Sequence, residues 1–181
     1  MSILKIISGQ YGGRKIKTSD NEAFHPMGER VRGAIFNFLG NDWEGKIALD
    51  LFAGSGALGI ESLSRGAKKA ILVEKNAKVI EILRNNLASL GVDNAKIVKY
   101  DALDFTSIER FDVVFVDPPY EIYDGICEKL SEKLDTLAVQ KRAVLVVSRP
   151  KKSVALKLAN WKIEKSRDYA DATVDVFDAK A

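Results

Sequence analysis

Cysteine and histidine are almost missing from this chain of 181 residues, at one each, Cys127 and His25. A single cysteine excludes an internal disulfide framework or a cysteine-rich metal site, and a single histidine excludes a multi-histidine metal centre. No metal is expected, and His25 reads as a turn residue before Pro26. A chain without disulfides suits a reducing compartment. No apolar run approaches membrane-spanning length, and the stretch at residues 3–7 is too short and too soon interrupted for a signal peptide. A cytoplasmic protein without membrane contact, acting as a monomer, is therefore expected. Charge of one sign is also in short supply: 28 Lys and Arg against 25 Asp and Glu leave a formal net charge of +3 and a pI near 8.9. That falls short of the excess of a general nucleic-acid binder. Internal repeats and low-complexity tracts are absent.

Hydrophobic residues make up 46%, enough for a substantial core in one main domain with an N-terminal appendage. Residues 3–18 read as a short β-hairpin around Gly12-Gly13, followed by a polar linker through Asn21 and Glu22. After Pro26, Val31, Ala34, Ile35, Phe38 and Leu39 repeat at helical spacing, Arg30 and Arg32 point away from that stripe, and Gly40 is placed to end the helix. Beyond residue 46, strands at 47–52, 70–73, 95–99, 111–116 and 142–147 alternate with helices ending near Gly66 and at 76–90, 123–137 and 153–159. A closing antiparallel hairpin follows over 161–167 and 173–177. The alternation predicts an α/β fold with a mostly parallel seven-stranded sheet covered on both faces. Residues 1–40 form the extension and 41–181 the main domain.

Of four prolines, two stand side by side in Asp117-Pro118-Pro119-Tyr120, which ends the apolar run at 111–116. Each proline fixes its own φ and pushes its predecessor toward extended backbone. The result is a stiff ledge at a strand's carboxyl end. There Asp117 and the Pro118 carbonyl can accept hydrogen bonds from an exocyclic amine, and Tyr120 can stack on a planar base. Upstream, the strand at 47–52 runs into Ala53-Gly54-Ser55-Gly56-Ala57-Leu58-Gly59 and a helix. Gly54 and Gly56 permit a sharp turn close to a ligand, and Gly59 permits tight helix–strand packing. The spacing also matches a dinucleotide fingerprint, so a nicotinamide-dependent oxidoreductase stays open on this loop alone. Glu74 ends the next strand about 20 residues on, where an acid grips ribose hydroxyls. Asp50, just before the glycines, suits a cationic amino-acid tail better than a pyrophosphate, and Asp101 can accept from an adenine amino group. These two acids favour S-adenosylmethionine. Gly12-Gly13-Arg14-Lys15 reads either as a mobile basic loop that tracks a phosphate backbone or as a solvated hairpin.

Arg30-Val31-Arg32 with Ile35-Phe36-Asn37, the run Asp50-Leu51-Phe52-Ala53-Gly54-Ser55-Gly56-Ala57-Leu58-Gly59-Ile60-Glu61 with Leu63-Ser64-Arg65-Gly66-Ala67, and Asp117-Pro118-Pro119-Tyr120 occur in that order. Together they resemble the bacterial ribosomal RNA small-subunit guanine-N2 methyltransferases of the D type, across nearly the whole chain. The resemblance implies a Rossmann-like class I methyltransferase fold, S-adenosylmethionine as donor with S-adenosylhomocysteine as product, and a guanine of 16S ribosomal RNA as acceptor. The substrate is then free RNA or a small-subunit assembly particle. Expected cofactor contacts are Asp50, Phe52, Gly54, Gly56, Glu74, Lys75, Asp101 and Ala102; expected RNA contacts are Arg14, Lys15, Lys17, Arg30 and Arg32; catalysis is expected at Asp117, Pro118, Pro119 and Tyr120. The chain departs from the family at His25-Pro26-Met27 and Gly28-Glu29, where Arg-Pro-Thr is usual, and at Gly33, where Glu is common. Ser148 follows the fifth strand where the family often has a glutamate, and no role is assigned to it. Rival readings are transfer to adenine N6 or cytosine N4 of DNA or another RNA, and a non-catalytic RNA-binding or assembly module.

Overall fold

The computed structural model describes residues 2–19 and 27–180. The linker at Asn21 and Glu22 and the His25-Pro26 turn lie outside them. In chain order the elements are β1 (Ile3–Lys5), β2 (Lys15–Lys17), α1 (Glu29–Leu39), β3 (Ile47–Asp50), α2 (Ala57–Ser64), β4 (Lys69–Glu74), α3 (Ala77–Leu90), β5 (Ala95–Lys99), β6 (Phe111–Val116), α4 (Tyr120–Thr136), β7 (Val139–Pro150), β8 (Trp161–Tyr169) and β9 (Ala172–Ala179). β1 and β2 pair antiparallel; the other seven strands form one sheet in the order β5-β4-β3-β6-β7-β9-β8. β3 through β7 run parallel, and the closing β8–β9 hairpin is antiparallel.

The central strands are apolar on both sides, as parallel strands covered by helices must be. Alternate residues divide between two cores. On one face Phe36 of α1, Leu63 of α2 and Leu83 of α3 meet Ala48, Leu72 and Phe115. On the other, Tyr123, Leu130 and Leu134 of α4 meet Leu49, Val114 and Leu145. Strand order reverses beside β3: the chain proceeds outward to β4 and β5, then returns to lay β6 on the opposite side. Such a switch leaves a crevice at the carboxyl ends of the two flanking strands. α3 is delimited as its ends predict. Asn76 caps it by accepting from Lys78 N–H at 2.9 Å, and Gly91 terminates it in the left-handed region at φ 70°.

Several expected bounds shift, and one expected helix is missing. The helix placed at 123–137 begins at Tyr120, because Pro119 occupies the cap position and its missing N–H costs nothing there. Its first turn was invisible to periodicity because only Tyr123, Leu130 and Leu134 are buried in the core. The fifth strand is longer, running from 139 to 150. The helix expected at 153–159 does not form. Side chains claim its backbone instead: Tyr123 donates to Val154 O at 3.3 Å, while Asp135 accepts from Ala159 and Asn160 N–H at 2.8 and 2.9 Å. Local side-chain bonds of this kind compete with helix formation.

The N-terminal hairpin is fastened along α2 and α3. Glu61, fully buried, accepts from Ile7 N–H at 2.7 Å, Ser8 N–H at 3.1 Å and Arg65 Nε at 2.8 Å. The Gln10 N–H donates to Ser64 O and the Arg14 guanidinium donates to Leu90 O and Ser89 O, so the hairpin turn sits over the C-terminal ends of both helices. Ile6, Tyr11 and Ile16 consequently join the same core cluster as the sheet. Glu61→Ala leaves two N–H groups and a guanidinium without their acceptor. It is expected to lower stability in urea unfolding by about 3–5 kcal/mol and to speed proteolysis before residue 20; unchanged values on both counts would refute the fastening role.

Candidate functional site

The crevice at the switch point has two adjoining lobes that share Phe52, Asp117 and Pro119. The larger, about 740 Å³ and open to solvent, is lined by Asp50, Gly54, Ser55, Asp117, Pro118 and Tyr120, with Thr18 and Met27 from the N-terminal segment. The smaller, about 410 Å³, is lined by Glu74, Lys75, Tyr100, Asp101, Ala102 and Ile122. Every expected cofactor and catalytic residue except Gly56 therefore lines one lobe or the other. Gly56 lies beneath, as the left-handed cap of α2 at φ 90°, where a Cβ would come within 2.5 Å of Leu83 Cδ1. At Gly59 a Cβ would approach Leu72 Cδ2 to 2.1 Å, so helix α2 lies against β4 as closely as the glycine was expected to permit.

Asp50 is 1% exposed. Its Oδ2 accepts from Gly59 N–H at 3.1 Å, while its Oδ1 has no hydrogen-bond partner. Burial pushes its pKa up to about 7 and the like charges of Asp117 and Glu74 push the same way, against the Gly59 N–H and, to a smaller extent, the Phe52 N–H. Asp117 keeps some contact with solvent, yet desolvation raises its carboxyl to about 6, opposed by a hydrogen bond from Ser148. Glu74 is already committed to backbone, accepting from Gly54 N–H at 3.1 Å and Asn76 N–H at 2.8 Å, which ties the glycine turn to the end of β4. Asp101 is held below the usual carboxylate range first by the Leu103 N–H and then by Lys75, whose Nζ lies 3.1 Å from Oδ2. A buried, half-partnered carboxylate in the wall of a pocket is complementary to a cation. The rigid amide-free ledge and the adjacent tyrosine are complementary to a planar amine.

The basic residues do not gather at the crevice. Arg32 is fully buried, donating to Lys5 O and to Met27 O at 3.5 Å. Burial lowers its pKa, and its guanidinium props α1 against β1 rather than facing a polyanion. Helical periodicity assigned it to the outer face of α1, and the hairpin that covers that face could not be read from the helix alone. Arg14 caps α3 at its far end: at 14 residues and about 1.5 Å per residue, that is roughly 20 Å from the Asn76 end beside Glu74. Lys15 and Lys17 are exposed on β2, and Arg30 is exposed on the first turn of α1.

Two residues of the site were not singled out from the sequence. Ser148, 1% exposed, comes beside Asp117 through the Val116–Val147 register and stands 3.5 Å from the Tyr120 hydroxyl. A hydroxyl ending an apolar run opposite another strand end is the available signal, and it needs the strand pairing to be used. Asn86 is buried on α3, where it accepts from Lys17 N–H and donates to Lys17 O and Ser55 O, joining β2 to the glycine turn. An amide on an apolar helical stripe was its visible mark.

The family described as conserved hypothetical protein 95 matches residues 4–178. The chain is 34% identical over 168 residues to ribosomal RNA small subunit methyltransferase D of Escherichia coli strain K12, covering 91% of this chain and 84% of that protein. It is 32% identical over 170 residues to the protein of the same name from Haemophilus influenzae, covering 91% and 88%. Among solved structures, that of yhhF from Escherichia coli aligns with a TM-score of 0.87 at 32% identity over 99% of both chains.

Ser148→Ala removes the hydrogen bond that lowers the Asp117 pKa. The carboxyl midpoint in a carbon-detected NMR titration is expected to rise above about 6, and an unmoved midpoint would exclude Ser148 as the partner. Asp50 and Asp117 both have folded-state pKa values above the ordinary 3.8. The native chain therefore keeps protons that the unfolded chain releases, and stability falls as pH rises from about 4 to about 7. Asp50→Asn is expected to flatten that decline in urea midpoints measured across the window.

Proposed function

The chain belongs to the ribosomal RNA small subunit methyltransferase D family, and we propose that its switch-point crevice transfers a methyl group from S-adenosylmethionine to the exocyclic N2 amine of a guanine in 16S ribosomal RNA. The observation that carries this reading is the larger lobe, where the cation-seeking carboxylate of Asp50 and the amine-accepting ledge of Asp117, Pro118 and Tyr120 line one cavity that adjoins the smaller lobe at Phe52, Asp117 and Pro119. The unpartnered Asp50 Oδ1 fits the ammonium of the methionine moiety, and Glu74 has lone pairs to spare for ribose hydroxyls beyond the two N–H bonds it accepts. Lys75, Asp101 and Ala102, lining the smaller lobe, suit an adenine. When bound, S-adenosylmethionine supplies a methyl group on a positively charged sulfur that leaves as a neutral thioether.

The chain's own task is to present the amine. Asp117 and the Pro118 carbonyl accept its two N–H bonds, which turns the nitrogen lone pair away from conjugation with the ring, and Tyr120 stacks on the base. Extrusion of the base costs a few kcal/mol, less where the RNA is already looped. Positioning of two reactants can contribute roughly 7–11 kcal/mol, so Asp117 need not be a strong base. The N2 proton becomes acidic only as the new N–C bond forms, and it passes to Asp117 or to water. A carboxyl whose pKa stands near 6 is ionised at neutral pH and accepts that proton readily.

Asp117→Ala is expected to leave S-adenosylmethionine affinity near that of the parent by calorimetry. Transfer of a tritiated methyl group to ribosomal RNA should fall at least about a hundredfold. Wild-type turnover in that variant, or transfer to duplex DNA in place of ribosomal RNA, would overturn the assignment. Because the cationic ligand selects ionised Asp50, its affinity should strengthen as pH rises through about 7. Asp50→Asn should weaken binding by about 1.5–3 kcal/mol and abolish that pH dependence.

A further inference from the structure

Arg32 is buried and Arg14 caps the far end of α3, so neither faces RNA at the crevice, and a nucleic-acid substrate needs a positive surface close to the reacting base. One such surface lies between α1 and the β8–β9 hairpin, where Ala34 and Phe38 of α1 face Lys165, Arg167 and Tyr169 of β8 across a groove of about 300 Å³. β8 is an edge strand. The Lys165 ammonium stands 4.8 Å from the centroid of the Phe38 ring, which is 38% exposed. Arg30 lies on the same side of α1 as Ala34 and Phe38, one and two turns earlier by helical spacing. Among the described residues no carboxylate pairs with Arg30, Lys165 or Arg167. Of the hairpin's acids, Asp168 is paired with Lys151 and Thr173 and Asp175 with Arg149 and Ser166, while the exposed Glu164, Asp171 and Asp178 do not line the groove.

The groove also leads to the right place. β8 runs toward the carboxyl ends of the parallel strands, so Tyr169 stands nearer the crevice than Lys165. The turn that follows brings Asp171 close enough to raise the Tyr120 pKa, as one of several causes headed by burial. At the other wall, Met27 lines the larger lobe just ahead of α1. Cations without carboxylate partners along a groove edged by the partly exposed rings of Phe38 and Tyr169 are what a single strand of nucleic acid requires, phosphates on the charges and bases or sugars on the rings.

We propose that this groove is the track for the single-stranded RNA flanking the target nucleotide, with Arg30, Lys165 and Arg167 on its phosphates and Phe38 and Tyr169 as stacking faces. The proposal rests on ribosomal RNA being the substrate, and it places RNA docking on α1 and β8 rather than on the hairpin turn at Arg14 and Lys15.

The test is the full-length Lys165→Glu/Arg167→Glu variant, assayed for binding to a protein-free 16S ribosomal RNA fragment by fluorescence anisotropy across a salt series, beside methyl transfer to the same fragment. The expected result is at least about a tenfold weaker Kd with a salt slope shallower by about 1.4, since each single-strand phosphate contact contributes about 0.7. S-adenosylmethionine affinity and thermal midpoint should be retained. Lys165→Arg should bind as the parent does. Lys141→Glu/Arg142→Glu makes the same charge change at the opposite, amino end of β7 and should shift Kd by no more than about threefold, through screened long-range charge alone. An unchanged Kd and slope in the Lys165/Arg167 variant, or equal losses in both double variants, would overturn the groove. So would a defect seen only on protein-containing particles, which would make the surface a protein dock. A parent protein that binds the fragment through this groove but transfers a methyl group neither to ribosomal RNA nor to small-subunit particles would instead overturn the proposed function.

Discussion

The constraint on which the rest of the site depends is the burial of Asp50 with only one of its oxygens satisfied. Parallel strands that end together bring their terminal side chains together, so Asp50, Glu74 and Asp117, from β3, β4 and just beyond β6, converge on one crevice. Like charges in a desolvated place are costly, and a chain selected for stability alone would not collect them. The cost is limited by backbone donors. Gly59 N–H reaches Asp50 only because α2 lies against β4 without a Cβ between them, and Gly54 N–H reaches Glu74 only because the glycine turn folds back. What remains is a partly compensated carboxyl site that a cationic ligand would favour in its ionised form.

The described residues of the first 40 are built into this arrangement rather than hung on it. Glu61 of α2 holds the chain entering the hairpin turn, and Asn86 of α3 bonds both to Lys17 and to Ser55 in the glycine turn. A shift of β2 would therefore be felt at the glycine turn that lines the larger lobe. The same attachment delivers Thr18 and Met27 to the pocket wall. In this chain the extension shapes the place where a base would enter, and its basic hairpin turn is left at the opposite end of the helices.

Much of the fold was legible because its signals are local. The apolar runs at 70–73 and 111–116, the helix expected at 76–90 and the closing hairpin expected over 161–167 and 173–177 each follow from a handful of neighbouring residues, and each lies close to where it was expected. The expectations that moved depended on distant partners. Residues 153–159 carry a helical pattern, but Tyr123 and Asp135 from α4 take their backbone groups. Arg32 lies off the apolar stripe of its own helix, but β1 covers that side. Ser148 gained its place at the site through pairing with a strand 30 residues earlier in the chain, and no local pattern could announce that.

By itself the sequence determined the chemistry that could be assembled: which strands carry an acid at their ends, where glycine permits close backbone approach, and where two prolines stiffen a ledge. These depend on bond rotation and on side-chain identity, which travel with the residue. Only the tertiary structure decided which of the charges would serve a ligand and which would serve the fold. A guanidinium or a carboxylate takes its role from what solvates it, and that is settled by whichever distant segment packs against it.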